Sequence, residues 1–349
     1  MILEQLSNAV GLSGGEDAVR QIILNEVKGT LQEITVNSMG SVIGRIPAAG
    51  RGKKPLRVLL AAHMDEVGLM VTGFESDGLI RFTNVGGIDE RILPGKRVKI
   101  GALQGVIIWT PIHKNNDQNA VKMSNLRIDI GASSKEEAAG KVKRGDRVNF
   151  DTQFRELDGG QMLRGKAFDD RAGCSLLVDV LRGGPYPVEV LAAFTVQEEI
   201  GLRGAQVVGQ TLQPDVALIL EGTTANDLPS LAPSPDDETE VNPTCCVGKG
   251  PVLTIQDASM IVNPKLLAFL KKTADAEQIP YQFKSTTGGG TDAGTIHVSG
   301  RGVPSAVISL PCRYIHSPAA LLLREDYDRA LRLVQAALRK ITLADYQQI

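Results

Sequence analysis

The period of the apolar positions changes along the chain. In "AVRQIILNEV" (18–27) they recur every three or four residues, which predicts an amphipathic helix. "LRVLLAAHMD" (56–65) is instead an apolar run that ends in polar residues, as a strand buried on both faces would. From "GLMVTGF" (68–74) to "DRVNFDT" (146–152), short β-rich segments such as "GLIRFTNV", "KRVKIGALQGVIIWT" and "NLRIDIGA" follow one another between glycines and prolines. This texture predicts a compact β domain inserted into a larger one. Within it, "SKEEAAGKV" (134–142) predicts one short helix, with Ser134 as N-cap and Glu137 completing a capping box.

After about residue 164 the alternation returns. Helices are predicted over 170–183, 202–212, 263–278 and 325–341, and strands over 188–197, 215–222, 251–257 and 304–311. Continuous apolar strands between helices imply an α/β fold with a mostly parallel sheet sandwiched by helices. The division expected is 1–67 plus 164–349 for the larger domain and 68–163 for the insert.

The length of 349 residues fits two cores better than one. A net charge of −2 gives no electrostatic reason to expect nucleic acid or an anionic membrane as partner. The first 21 residues lack a basic stretch followed by an apolar one, so no secretory signal is expected, and no apolar run reaches membrane-spanning length. Cys174, Cys245, Cys246 and Cys312 contain no CxxC pair and read as free thiols, which points to the cytoplasm.

In open α/β sheets, ligands sit beyond the carboxyl ends of the strands. Those ends repeat one pattern, an apolar run and then an acid or imidazole. His63 and Asp65 end one run, Glu198 and Glu199 another, Glu221 a third, and the 304–311 run leads on to His316. Asp169 and Asp170 stand before a helix. So many carboxylates in one buried site would repel one another, and cations are the simplest compensation. Two histidines among carboxylates suit zinc, cobalt or manganese better than calcium or magnesium. Three acidic ligands leave two divalent ions with residual positive charge, which favours a bound hydroxide. A fourth acidic ligand would overfill that charge. One of Glu198 and Glu199 should therefore be a ligand and the other a proton carrier.

Each residue also has a plainer reading. "EE" fits a solvated pair, and "DDR" fits a helix N-terminus with an ion pair to Arg171. His113 is expected to face solvent on the insert and His297 to be structural. "TTGGGTDAG" (286–294) reads as a tight loop and helix N-cap that lets backbone approach a ligand. Gly289, Gly290, Thr291 and Asp292 are its candidate substrate contacts. The loop lacks the spacing of a phosphate loop.

Together, "AHMDEVG", "GKAFDDRAG", "TVQEEIGLRGA", "LEGT", "GGGTDA" and the late His316 resemble the tetrahedral aminopeptidase and glutamyl aminopeptidase family of dinuclear metallopeptidases, some of whose members carry endoglucanase names. The resemblance spans nearly the whole chain. It implies that His63, Asp169 and Glu221 hold one metal and Asp169, Glu199 and His316 the other, with Asp169 bridging. Glu221 stands where many members have aspartate. The resemblance further implies that Asp65 fixes the His63 tautomer, that Glu198 is the general base, and that the Asp169–Asp170 peptide is cis. The insert would be a barrel-like dimerisation domain, and dimers would assemble into a dodecamer. The expected function is a zinc-, cobalt- or manganese-dependent aminopeptidase acting on peptides. The alternatives are a carboxypeptidase or N-deacylase on the same scaffold, an endoglucanase, and a non-catalytic scaffold protein.

Overall fold

The computed structural model describes residues 1–49, 55–109, 121–228 and 243–349. Four parallel strands form the centre of an 11-stranded sheet, in the order Glu189–Thr195, Arg57–His63, Val216–Thr224 and Ser305–Arg313. Their Val, Leu, Ile and Ala runs are buried because helices cover both faces. Phe168–Arg182 packs across three of these strands and against Arg324–Lys340. Leu176, Leu177 and Val180 of the first helix and Leu333 and Val334 of the second are buried in one shared core. Each such side chain contributes about 1.5–3 kcal/mol by leaving water.

The parallel arrangement is confined to this centre. Val42–Ile46 and Gln32–Val36 extend one side antiparallel. Ala320–Leu323, Met162–Gly165 and Arg155–Leu157 extend the other side, also antiparallel. These flanking strands are short, and only some of their residues are buried, so they lack the long apolar runs that mark the centre.

The inserted β unit is a closed six-stranded barrel running from Gly68 to Phe150. It has its own core, which includes Leu69, Ile80, Val98, Ile107, Ile128 and Val148. At the seam with the large domain, a Cβ on Gly68 would lie 2.5 Å from Leu12 Cδ1 and 2.9 Å from the Val148 carbonyl, so only glycine fits. The first strand after the barrel, Arg155–Leu157, pairs within the large sheet.

One local expectation is made specific and two change. "KRVKIGALQGVIIWT" is a hairpin of Arg97–Ile100 and Leu103–Ile108, turned at Gly101 with φ of 59°. The strand expected over 251–257 is only Val252–Leu253. The Asp257 carboxylate there accepts from the backbone N–H of Ser259 and Met260 and folds the chain into a turn. The capping box at 134–137 is half formed. Ser134 Oγ accepts from Glu137 N, but the Glu137 carboxylate accepts from Ser133 N instead of the cap residue.

Candidate active site

Because the four central strands are parallel, their carboxyl ends share one edge of the sheet. His63 is the last residue of its strand, and Glu221 lies within the last four of Val216–Thr224. His316 follows Ser305–Arg313 and Glu198 follows Glu189–Thr195 by three residues each. Asp169 sits in the non-helical first turn of Phe168–Arg182, behind Ala167 at φ of 55°. The Asp169–Asp170 peptide is cis, as the resemblance implied.

The two oxygens of Asp169 face different histidines. Oδ1 lies 3.1 Å from His63 Nε2, and Oδ2 lies 3.2 Å from His316 Nε2. Glu221 Oε1 joins the first group at 3.4 Å from His63 Nε2. Glu199 Oε2 joins the second at 3.3 Å from His316 Nε2. Glu198 Oε2 is 3.9 Å from His63 Nε2.

The adjacent glutamates reach one cleft because of the backbone beneath them. Gln197 takes a left-handed φ of 56° where the chain leaves its strand. Asp65, fully buried, then accepts from the N–H of Glu198 at 2.9 Å and of Glu199 at 3.2 Å. The same carboxylate accepts from Ser13 Oγ at 2.6 Å and lies 3.3 Å from His63 Nδ1. With Nδ1 turned to Asp65, His63 presents Nε2 to the acids.

The electrostatics of this cluster are those of acids crowded together out of water. Burial pushes Glu199 and Glu221 up to about 8, with Asp169 adding repulsion to each. Burial likewise raises Glu198 well above the usual carboxylate range. His316 is pushed up to about 9, burial being outweighed by Asp169 and Glu199. Glu199 Oε1 and Glu221 Oε2 are buried with no hydrogen-bond partner. Donor atoms of His63, Asp169 and Glu199 lie within 4.8 Å of one another, as do those of His63, Asp170 and Glu221. Acidic oxygens without partners beside imidazole nitrogens fit divalent metal ions. Asp170 is the weaker donor, since its oxygens already accept from His63 N at 3.0 Å and Gly173 N at 2.9 Å.

A cleft of about 460 Å³ opens beside the cluster, and Gly289, Gly290 and Thr291 line it. Asp292 does not. It is buried and accepts from Thr195 Oγ1 at 2.5 Å, while Thr291 Oγ1 accepts from the N–H of Ala293 at the start of the helix. His297 Nδ1 bonds the Ala293 carbonyl at 2.9 Å, a structural contact. His113 lies outside the described residues. Arg171 pairs with Glu66, not with its acidic neighbours, and donates to the carbonyls of Met64, Leu6 and Gly11. Lys166, buried and 2.7 Å from Glu66, completes that brace. The roles of Ser13, Thr195, Glu66 and Lys166 had no sequence signal, because each depends on contacts between distant segments. No helix among the described residues is long and apolar enough to cross a membrane.

Residues 40–333 match the model of the M42 glutamyl aminopeptidase family. The lysyl aminopeptidase of Pyrococcus furiosus is 30% identical over 357 residues, covering 99% of this chain and 98% of its own. The TET aminopeptidase of a marine sediment archaeon of the Thaumarchaeota superposes with a TM-score of 0.92 at 36% identity, covering 99% of this chain and 98% of its own. The TET1 peptidase of Pyrococcus horikoshii, which can assemble into a tetrahedron or a large octahedral shell, gives 0.84 at 30% identity, with 97% and 98% covered. The chain, an α/β protein with an inserted barrel and a cleft of converging acids and histidines, is a peptide hydrolase and belongs to the M42 glutamyl aminopeptidase family.

Proposed function

We propose that the chain is a metal-dependent aminopeptidase that releases N-terminal residues from peptides. The observation that carries this reading is Asp169, whose two oxygens face His63 and His316 separately. His63, Asp169 and Glu221 would hold one divalent ion, and Asp169, Glu199 and His316 a second. Zinc suits these donors best, with cobalt or manganese as substitutes. Ions there would anchor the free α-amine, polarise the scissile carbonyl and acidify the attacking water.

The chain supplies the rest. Asp65 holds His63 through Nδ1 and fixes both glutamate amides. Glu198, close to the cluster but outside both ligand sets, takes a proton from the water and returns it to the departing amine nitrogen. The barrel would mediate dimerisation, and dimers would build a dodecamer, the assembly in which a similar TET1 peptidase has been solved. The four free cysteines support a cytoplasmic location.

The test pairs metal analysis with substrate chemistry. About two divalent ions per chain and cleavage of free but not N-acetylated peptides are expected. Activity that survives chelation, or cleavage of acetylated peptides at equal rate, would overturn the reading.

A further inference from the structure

Four donors surround the Asp65 carboxylate, two on each oxygen. Oδ1 accepts from the Glu198 amide at 2.9 Å and lies 3.3 Å from His63 Nδ1. Oδ2 accepts from the Glu199 amide at 3.2 Å and from Ser13 Oγ at 2.6 Å. A carboxylate offers about four lone-pair sites, so all are occupied, and the group has no free direction in which to turn about its Cβ–Cγ bond. Three of the donors belong to residues already placed in the cluster. The fourth, the buried Ser13, comes from a loop near the start of the chain, and its bond is the shortest of the set.

That hydroxyl is held from several sides. Gly11 N donates to Glu66 Oε1 at 3.1 Å and Glu66 N donates to the Gly11 carbonyl at 3.0 Å, which pairs the loop with the residue beside Asp65. Gly15 N donates to the Leu12 carbonyl at 2.7 Å and closes a turn around Ser13. Gly14 N donates to the buried carboxylate of Glu16 at 2.6 Å. Arg147 of the barrel donates to the Gly14 carbonyl and lies across Gly15, where a Cβ would be 2.7 Å from Arg147 Cζ. A water molecule on Asp65 would have none of these restraints.

We propose that Ser13 is a positioning residue for peptide hydrolysis, acting through Asp65 to fix the carboxylate on which the amides of Glu198 and Glu199 rest. The proposal rests on the aminopeptidase reading above. Gln197 enters the glutamate pair at a left-handed φ of 56°, a conformation that neighbouring contacts must hold. With Ser13 in place, Asp65 keeps one oxygen for each glutamate amide. Without it Oδ2 has an empty site, the carboxylate turns, and the two amides loosen together. Glu198, 3.9 Å from His63 Nε2, then loses its aim at the attacking water. The cleft wall over Gly288–Thr291 belongs to another segment, so peptide binding is spared.

A double-mutant cycle between Ser13 and Asp65 tests this, with kcat and KM measured at saturating metal and metal affinity measured by titration against a chelator. Ser13→Ala removes one hydrogen bond to a charged group, so kcat should fall about tenfold with KM within about twofold of wild type. Metal affinity should weaken by about three- to tenfold, because the same carboxylate faces His63. Ser13→Thr keeps the hydroxyl and should restore kcat. Ser13→Cys, a weaker donor, should fall between, and it carries the cycle if the alanine variant does not fold. In the Asp65→Asn background the Ser13 substitutions should cost nothing further, whereas a serine that merely supports the fold would add its full effect. An unchanged kcat in Ser13→Ala, a rise in KM alone, or effects that multiply in the double variant overturn the proposal and leave the aminopeptidase reading intact. Should no peptide be cleaved, that reading falls, and the cycle in metal affinity decides whether Ser13 acts through Asp65. Absence of bound metal as well overturns both.

Discussion

Replacing Glu198 and Glu199 by glutamine should produce two different failures. Glu198→Gln keeps shape and both proposed ligand sets but cannot accept a proton, so kcat should drop by about 10²–10⁴ while metal content holds. Glu199→Gln exchanges an anionic ligand for a neutral one, so one ion should be lost and excess metal should partly restore activity. Metal analysis of the two purified variants decides the assignment, and metal loss in Glu198→Gln instead would reverse it. Asp65→Asn tests the residue beneath them. An amide cannot accept from Ser13, Glu198 and Glu199 while facing His63 Nδ1 as the carboxylate does. Its metal affinity should fall by about 10- to 100-fold, read by titration against a chelator. Protons compete for the same atoms. In the metal-free protein Glu199 and Glu221 sit at about 8 and His316 at about 9, all above their unfolded values. At pH 6 each of the three holds a proton that an incoming ion must displace, so metal affinity should climb from pH 6 to 9. The sign for stability is opposite. The protonated forms favour the metal-free fold below their unfolded values, and that contribution is lost as pH rises through 8 to 9. The melting temperature of metal-free protein should therefore fall across this window, and added zinc should restore it. An unchanged or rising melting temperature would count against the buried cluster.

At the scale of elements, the strands that carry the site were legible because they are buried on both faces. A run such as "VLAAFTVQ" has no polar alternation to blur it, and its polar end marks the sheet edge. The flanking antiparallel strands had no such signal, since Gln32–Val36 has no buried residue and Gly44 and Arg45 interrupt the apolar positions of Val42–Ile46. Val252–Leu253 fell short of its expected length because Asp257 offers the backbone a turn in place of a ladder. The candidate ligands could be named from strand ends and the family resemblance. Their supports could not, because Ser13 lies 52 residues from Asp65 and Thr195 lies 97 from Asp292. Nor does composition reveal that Ala167, Gln197 and His316 adopt left-handed backbone around the site. Such residues cost roughly 1–2 kcal/mol each, and neighbouring contacts must hold them there. For Gln197 the Asp65 bonds to the next two amides supply that restraint.

At the scale of the molecule, the barrel is the part proposed to act between chains. Among the described residues its strands contribute none to the cluster of acids and histidines, and it closes around a core of its own. Nevertheless it leaves Val106 at 40% and Trp109 at 45% exposure, one large apolar side chain on a barrel strand and one just past its end. Valine and tryptophan side chains with part of their surface in water can be buried favourably at an interface core. If the barrel mediates dimerisation, the wild-type protein should run in light scattering at a multiple of the 37.3 kDa chain. Val106→Glu with Trp109→Glu should then lower that mass without unfolding the chain. Both side chains are half exposed, and the buried residues of the barrel core stay intact. Circular dichroism and metal content check that the fold and the cluster survive. Loss of activity alone would not settle the matter, because assembly can also shape the cleft. A wild-type protein that is monomeric at micromolar concentration, or a double variant that keeps the full mass, would remove the barrel from the assembly and leave its exposed apolar pair without a partner.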